Sequence, residues 1–269
     1  MAEQELSIDE MHLYILNMFK ALDRACKKYN ITYFLSGGSA IGAIRHGGFI
    51  PWDDDADIMM PRKDFERFVK IFSKAKGRYK VASVYDNKNW TFPFARMWDD
   101  DTKIVYDNLN EASTGIFIDI YPMDGVPSSK LLTKLHYKRM KALYVLLNAA
   151  IRKRFKDDEH YIFIKKILAV FAGAIGQGRI CRHINRIAKR RDFEKSEYVG
   201  CSVLSHYMEK EKFPRSDFES QRYVKFEDTY MPVPNGCENY LHALYGDFMK
   251  EPDEKGRESE HHMHAYRKQ

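Results

Sequence analysis

The sequence predicts an α/β (α+β) protein, with a mixed sheet flanked by helices followed by a mainly helical second part. Two observations lead to this prediction. Up to about residue 128, short apolar stretches alternate with amphipathic helical patterns, which is typical of a sheet with helices packed on it. From 129 to about 192 the pattern becomes mostly helical and basic.

The helices are predicted from apolar periodicity and end signals. Residues 7–30 carry a helical apolar stripe, and Ser7 with Glu10 three positions later forms a capping box. Residues 62–75 are predicted to form a second amphipathic helix. The segment "SAIGAIRHGG" favours one or two helical turns, and residues 237–249 favour a helix that ends near Gly246.

The strands are predicted from short apolar runs bounded by turn residues. The first is "ITYFLSGG", the second begins within "PWDDDADIMMP", and the third is "YKVASVYD". "FPFARMWD" and "TKIVYD" favour a hairpin with its turn at 99–101. "GIFIDIYPMDGVP" favours a strand that carries one acid, Asp119, before a turn. A later hairpin is predicted within 213–234, and the last fifteen or so residues are expected to form a loop.

Composition narrows the class of protein. The chain has 269 residues and 44% hydrophobic content, enough for a large core. The start is acidic and polar, so no signal peptide is expected, and no apolar run reaches the length of a membrane span. Four cysteines are scattered without a C-x-x-C pair, which favours reduced thiols and a cytoplasmic location.

Charge is concentrated in one block. Residues 131–195 hold 17 Lys and Arg against five Asp and Glu, in a chain of net charge +6. Such a block suits a phosphorylated polymer or an anionic membrane surface, and solvated helix faces would account for it equally well. The apolar stretch "FIKKILAVFAGAIG" could lie at a membrane interface, but packing on the catalytic domain is the favoured expectation. No basic stripe interleaved with aromatics is present, so nucleic acid is not an expected partner.

Four aspartates fall within five positions, just before an apolar strand, at 53, 54, 55 and 57. Alternate side chains of a strand share a face, so Asp55 and Asp57 are expected to point the same way. Two such carboxylates stay ionised side by side only with a cation between them, and their oxygens suit Mg²⁺, with Mn²⁺ as an alternative. The sequence therefore favours a metal site here.

Three alternative roles for these acids fit the sequence less well. An EF-hand loop needs Gly at its sixth position, where the chain has Ile58. An acidic surface turn does not account for the apolar residues that follow directly. A metal-free carboxylate pair for acid–base chemistry normally comes from separated segments that hold the two groups across a bond.

The glycines upstream strengthen the metal hypothesis. "FLSGGSAIG" ends a strand on Gly37 and Gly38 and then begins a helix, whose N-terminal N–H groups favour phosphate. A Gly-Gly-Ser turn followed about sixteen residues later by Asp-x-Asp resembles the nucleotidyltransferase superfamily. The fuller motif "GGSAIGAIRHGGFIPWDDDADIMMPR" resembles the LicD family of phosphocholine transferases, which are related to fukutin-type transferases. "FARMWDDDT", "GIFIDIYPMDGVP", "YLHALYGDFM" and the "HH" at 261–262 extend the resemblance to most of the chain.

The resemblance implies a set of site residues. Asp55, Asp57 and Asp119 would hold one or two Mg²⁺ ions, and Asp119 would also be the general base. Phosphate would be bound by Gly37, Gly38, Ser39 and Arg96. At position 96, Lys is expected to be commoner in the family, and Arg keeps the positive charge. Arg45 is a further catalytic candidate that would neutralise developing charge. Both arginines have surface or salt-bridging roles as alternatives.

The implied activity is Mg²⁺-dependent transfer of phosphocholine from CDP-choline to a hydroxyl of a cell-surface glycan precursor of the teichoic-acid or lipopolysaccharide type. Another CDP-alcohol, nucleotidyl transfer and non-catalytic docking on glycan or membrane remain alternatives. Aromatic residues near the motif could hold choline, although such residues are more often core: they are Trp52, Trp90, Phe92, Trp98 and Tyr121. The oligomeric state is left open.

The chain is predicted to divide into three parts. Residues 1–128 would form the nucleotidyltransferase-like catalytic core. Residues 129–200 would form a basic helical subdomain that docks the acceptor or a membrane surface at its cytoplasmic face. Residues 201–269 would pack back on the core.

Overall fold

The computed structural model describes residues 4–106, 114–152, 162–253, 257 and 263–268. In these ranges the α-helices are α1 Ile8–Tyr29, α2 Gly37–Arg45, α3 Arg62–Phe72, α4 Lys130–Ile151, α5 Ile162–Ile175, α6 Gln177–Ala188 and α7 Cys237–Tyr245. The strands are β1 Phe34–Leu35, β2 Asp57–Pro61, β3 Tyr79–Ala82, β4 Ala95–Asp99, β5 Thr102–Tyr106, β6 Phe117–Val126, β7 Tyr198–Gly200, β8 Phe213–Pro214, β9 Gln221–Phe226, β10 Thr229–Pro234 and β11 Met263–Arg267. The predicted mixed α/β class is confirmed.

Helix α1 begins where its sequence signals place it. The Glu10 N–H donates to the Ser7 hydroxyl at 3.3 Å, and the Ser7 N–H donates to the Glu10 carboxylate at 2.8 Å, so the capping box is complete. Asn30 ends the helix in the left-handed conformation, with φ 49°. The apolar stripe of α1 is buried against the sheet, which fixes one side of the core.

The main sheet has the strand order β1-β2-β6-β4-β3, and β7 and β8 extend it from the far end of β6. Strands β2 and β6 pair in parallel, whereas the other pairs are antiparallel. A parallel pair needs a long crossover, and here the chain between β2 and β6 supplies α3 and three other strands. The two aspartate-bearing strands are thereby neighbours at the centre of the sheet.

Two strand predictions are wrong. The chain does turn at 99–101, but β4 and β5 do not form a hairpin, because both edges of β4 are taken by β3 and β6. Strand β5 instead pairs with β11, so residues 263–267 of the expected C-terminal loop are a strand. The "HH" at 261–262 lies outside the described residues.

Strand β6 also continues past the expected turn, through Asp124. The Arg62 Nε donates to Asp124 Oδ1 at 2.8 Å, and both side chains are buried. An acid can therefore lie within an interior strand because an arginine neutralises it there. The same guanidinium donates to the Asn185 side chain at 2.8 Å, which joins α3 and β6 to α6.

The helical second part is confirmed, with α5 and α6 separated at Gly176, whose φ is 87°. Helices α4 and α6 share a second apolar cluster with the segment before β4. Helix α5 contacts α4 and α6, and Ala172 is the only residue that this helix buries. The packing of this stretch on the catalytic domain stays a prediction. None of the helices in the described part is both long and apolar enough to cross a membrane.

The C-terminal part also follows several predictions. Strands β9 and β10 form the expected hairpin, and α7 ends at Gly246, with φ 68°. Strand β8 joins the main sheet, and α7 contacts α2. The division into parts at 128 and 200 stays a prediction.

Candidate active site

Three predicted site residues form a row across the sheet. Asp57 of β2 is paired in register with Asp119 of β6, and Asp119 is paired with Arg96 of β4. Residues directly opposite on neighbouring strands present their side chains to the same face. The register of the sheet thus brings together residues that are separated by up to 62 positions in sequence.

Arg96 and Asp119 form a buried two-point ion pair. The Arg96 Nε donates to Asp119 Oδ1 at 2.7 Å, and the second contact, from Nη2 to Oδ2, measures 2.9 Å. The guanidinium carbon lies 3.5 Å from the ring centre of Phe117 and 4.5 Å from that of Phe92. Its remaining nitrogen donates to the Tyr106 hydroxyl at 3.0 Å. Arg96 therefore fixes the orientation of the Asp119 carboxylate, while both side chains also face a cavity.

Asp57 is held from two sides. Its backbone N–H donates to the Ser39 hydroxyl at 3.0 Å, and its Oδ1 accepts from the Tyr121 hydroxyl at 3.2 Å. Burial, followed by the charges of Asp57, Asp119 and Asp55, raises the pKa of Tyr121 well above its ordinary value. The phenol consequently stays protonated and can donate. Tyr121 also lines one cavity together with Asp55 and Asp119.

The start of α2 faces carboxylates. A Cβ added at Gly38 would lie 2.4 Å from Asp53 Oδ2, and one at Gly37 would lie 3.2 Å from Asp57 Oδ2. Gly37 has φ 51°, and its N–H donates to the Tyr240 hydroxyl at 3.0 Å. The positive end of the helix is thus occupied by anionic groups of the protein itself. The two glycines are explained by the close approach of these carboxylates to the backbone. The sequence predicted such an approach, but with phosphate as the anion.

A group of three acids could hold a metal. One carboxylate oxygen from each of Asp53, Asp54 and Asp55 lies within 4.8 Å of the others. Asp55 belongs both to this group and to the predicted ligand set, whereas Asp53 and Asp54 were not predicted as ligands. Oxygen donors at this density suit Mg²⁺ or Mn²⁺, so the donor set fits the cation that the sequence predicts.

A cavity of about 320 Å³ opens beside the carboxylates. Asp55, Asp119 and Arg96 supply its charged wall. Apart from Asn148, its other lining is aromatic or apolar: Phe92, Pro93, Phe94, Tyr106, Phe117, Tyr121, Tyr144, Leu147, Ile151 and Leu204. A concave apolar site with a few convergent charges is the usual form of a small-molecule site.

Comparison with known proteins identifies the family. The family model described as LicD/FKTN/FKRP, nucleotidyltransferase domain, matches residues 30–171. Lipopolysaccharide cholinephosphotransferase LicD of Haemophilus influenzae is 30% identical over 270 residues, covering 98% of this chain and 99% of that protein. The chain belongs to the LicD family. Human ribitol 5-phosphate transferase FKRP is also similar, at 30% identity over 96 residues, which are 36% of this chain and 18% of that protein.

Membership in the LicD family confirms the resemblance that the motifs predicted, and with it the prediction of an enzyme of the transferase class. The predicted site residues lie within the stretch that the family model matches. Their individual roles stay predictions, which the geometry supports to different degrees.

Arg45 lies at the end of α2 away from the row formed by Asp57, Asp119 and Arg96. It ends α2, eight residues beyond Gly37, which corresponds to about 12 Å along the helix axis. Its guanidinium donates to the Phe248 carbonyl at 2.9 Å and to the His46 ring at 2.9 Å. These contacts join the end of α2 to the segment after α7, and the catalytic role of Arg45 stays a prediction beside its surface or salt-bridging alternative.

Some residues of the site could not be found by spacing alone. The hydroxyl of Tyr240, on α7, accepts from the Gly37 N–H and lies 3.1 Å from the Ser36 hydroxyl. Tyr240 falls in the "YLHALYGDFM" motif, so a signal existed but no role could be read from it. Tyr106 and Tyr144 reach the cavity from elements that lack a motif. Of the aromatic candidates, Trp90 is buried and donates to the Phe94 carbonyl at 2.9 Å, so it belongs to the core.

Proposed function

We propose that this protein transfers phosphocholine from CDP-choline to a hydroxyl of a cell-surface glycan or its precursor, with Mg²⁺ as cofactor. The observation that carries the proposal is the similarity to lipopolysaccharide cholinephosphotransferase LicD over 98% of the chain. The site supports it, because Asp57 is paired in register with Asp119 and is bonded to Tyr121, which lines one cavity with Asp55 and Asp119. Mn²⁺ is an alternative cofactor.

The carboxylates are the proposed metal ligands. Asp57 and Asp55 would hold the cation, together with the Asp119 oxygens or with Asp53 and Asp54. The cation would neutralise the diphosphate of the donor and lower the pKa of the acceptor hydroxyl. Tyr121 and Ser39 would keep Asp57 oriented towards it, through the contacts that they make to its carboxylate and its backbone N–H.

The transfer needs one proton acceptor. The acceptor hydroxyl would form a bond to the phosphorus that carries choline, while the bond from that phosphorus to the bridging oxygen breaks and CMP leaves. The hydroxyl proton would pass to the Asp119 carboxylate. Arg96 holds both Asp119 oxygens in place, so the base would be pre-oriented for this step.

The cavity suits the choline headgroup. A quaternary ammonium is attracted to aromatic faces, and the cavity wall contains Phe92, Phe94, Tyr121 and Tyr144. The wall lies next to Asp55 and Asp119, so a bound headgroup would be adjacent to the phosphate that reacts. This arrangement favours phosphocholine over a group without a cation.

Ribitol phosphate is the second candidate, because human ribitol 5-phosphate transferase FKRP is 30% identical to this chain over 96 residues. A polyol would need hydrogen-bonding groups in the cavity, where Tyr106, Tyr144 and Asn148 are available. Nucleotidyl transfer would use the same metal site but would leave the nucleotide on the acceptor. For the acceptor, a lipopolysaccharide-type glycan is favoured over a teichoic-acid type by the name of the Haemophilus influenzae relative. The cytoplasmic location expected from the cysteines is part of the proposal.

The deciding experiment measures donor binding and CMP release. Calorimetry with CDP-choline is carried out with and without Mg²⁺, on the wild type and on Asp57→Asn. Binding should require Mg²⁺, and CMP release with a glycan acceptor should fall about a hundredfold or more in the variant, as expected for loss of one electrostatic stabiliser. Asp228→Asn is the matched control, because Asp228 is exposed, pairs with Lys20 of α1 and is not among the predicted ligands.

The outcomes separate the alternatives. Binding of CDP-ribitol or CDP-glycerol in place of CDP-choline would keep the metal site and reject choline. A nucleotide found on the acceptor would indicate nucleotidyl transfer. If a folded protein binds no nucleotide at all, the transferase proposal is wrong and docking on a glycan or membrane accounts better for the basic helices.

A further inference from the structure

Helix α5 exposes an unusual amount of apolar surface. Five large apolar side chains on this one helix are between 55% and 76% exposed: Phe163, Ile164, Ile167, Val170 and Phe171. Ala172 is the single residue that α5 buries. Single exposed apolar residues are common on protein surfaces, whereas a contiguous exposed group marks an interaction site.

The exposed side chains form one face. Phe163, Ile167, Val170 and Phe171 follow the spacing i, i+4, i+7 and i+8, and with Ile164 they cover about 120° of the helix circumference. On the same wheel, Ala172 lies on the opposite side, where α5 contacts α4. Exposed Lys166 lies at one edge of the apolar face, where its long side chain can reach away from it.

The positive charge of the helices around this face indicates which kind of partner it binds. Helices α4, α5 and α6 contain ten Lys and Arg residues, five, two and three in turn, and their sequences include no Asp or Glu. A second copy of this chain would bring the same positive charge against itself. A surface of anionic lipids offers both the opposite charge and an apolar layer beneath it.

We propose that α5 binds an anionic membrane surface, lying in the plane of the headgroups with its apolar face directed to the acyl chains. Lys166, at the edge of the apolar face, contacts the lipid phosphates, and the positive charge of α4 and α6 adds to the attraction towards an anionic surface. At 14 residues, α5 is too short to span a bilayer but long enough to lie along its surface. The proposal does not depend on the chemistry of the active site.

The test uses the full chain and two kinds of vesicle. Co-sedimentation is measured with phosphatidylcholine vesicles and with vesicles that also contain phosphatidylglycerol. The wild type should bind the anionic vesicles preferentially, and the double variant Phe163→Asp with Val170→Asp should bind at least about tenfold more weakly. The matched control is Leu13→Asp with Tyr230→Asp, which changes the charge equally at exposed apolar side chains of α1 and β10. It should retain most of the wild-type binding.

A second measurement reports how deeply α5 enters the lipid layer. Phe171→Trp should be quenched by brominated acyl chains in anionic vesicles, beyond any quenching of the native tryptophans, and Tyr230→Trp should not. The proposal is overturned if the wild type binds neither vesicle, or if the α5 double variant binds like the wild type. A third result would also overturn it: the wild type is a dimer, this dimer does not bind vesicles, and the α5 double variant is a monomer. A second copy of the chain would then cover the apolar face.

Failure here differs from failure of the proposed transferase. The Asp57→Asn variant should bind anionic vesicles like the wild type, because Asp57 lies on β2 in the sheet. The α5 double variant should still bind CDP-choline in the absence of vesicles.

Discussion

Within the candidate site, Gly38 is the position where adding one carbon atom, the Cβ of alanine, is expected to reduce activity most. Alanine at this position would place its Cβ 2.4 Å from Asp53 Oδ2, closer than real contacts allow. The Asp53 carboxylate would have to move away from the start of α2. Gly38→Ala should therefore weaken Mg²⁺ binding and lower CMP release about tenfold or more, while the melting temperature changes little, because alanine is favoured in helices.

The control for this prediction is Gly173→Ala, since an added Cβ there meets nothing within 4 Å. That variant should retain Mg²⁺ binding and activity. Wild-type activity in Gly38→Ala would contradict the prediction and would mean that the exact position of Asp53 is not needed. Isothermal titration with Mg²⁺ and thermal unfolding distinguish these results.

Individual site residues were predictable to the extent that a motif carried them. The structure pairs Asp57, Asp119 and Arg96 in register on adjacent strands. The Asp55–Asp57 pair and the strand within "GIFIDIYPMDGVP" had indicated the two acids. Arg45 shows the opposite case, because the spacing of a motif does not reveal which end of a short helix faces the site. Contacts such as that of Tyr240 with the Gly37 N–H join residues about 200 positions apart, and no local pattern encodes them.

At the scale of elements, two titratable side chains, Glu211 and His136, lie where the start of α4 contacts residues 202–211. The Tyr137 hydroxyl donates to the Glu211 carbonyl at 2.7 Å, and the neighbouring His136 ring lies 2.9 Å from the Ser202 hydroxyl. Burial raises the pKa of the Glu211 side chain from 4.5 to about 7, and it lowers the pKa of His136 from 6.5 to about 4, aided by Arg191 and Arg139. Folding thus favours the neutral form of both groups.

The two groups should affect stability with opposite signs. Between pH 4.5 and 7 the folded protein keeps a proton on Glu211 that the unfolded chain releases, so this contribution to stability falls as pH rises. Between pH 6.5 and 4 the unfolded chain protonates His136 and the folded protein does not, so this contribution falls as pH drops. The two slopes oppose each other where the windows overlap.

Single variants should separate the slopes. Relative to the wild type, Glu211→Gln should gain stability as pH rises from 4.5 to 7, by up to about 3 kcal/mol. His136→Gln should show the reverse trend in its own window. Urea unfolding at several pH values measures both, and parallel curves for the wild type and Glu211→Gln would show that Glu211 does not titrate in this range.

The elements themselves were predicted better than their partners. Helix boundaries follow local signals such as the Ser7 capping box, so α1 and α7 agree with their predicted ends within a few residues. Strand pairing is not local. The expected β4–β5 hairpin is replaced by pairing with β6 and with β11, because alternation of apolar residues describes a strand but not its neighbour.

For the whole molecule, Arg62 is one of the residues that join the sheet to the helical part. Its guanidinium contacts Asp124 of β6 and Asn185 of α6, and the Asn185 side chain donates to the Pro93 carbonyl at 2.7 Å. Arg62→Met would leave the buried Asp124 carboxylate without its counter-ion. The free energy of unfolding should fall by about 3–5 kcal/mol, as urea unfolding would measure.

The double variant Arg62→Met with Asp124→Leu serves as the control, because it removes both charges together. It should lose much less stability than Arg62→Met alone, since an apolar pair of similar volume can replace a buried ion pair. A loss below about 1 kcal/mol in the single variant would contradict the assigned role and would imply that water reaches Asp124.

Parallel pairing of β2 with β6 has a consequence for the order of folding. The contact between positions 57 and 119 closes a loop of 62 residues, which costs more chain entropy than any turn between sequential strands. Such pairings tend to form late, after local helices such as α1 and α3. The proposed metal ligands would then be assembled only after these local helices, so that gain of Mg²⁺ affinity during refolding would report the pairing of β2 with β6. A chain stalled before that step would carry no partial activity.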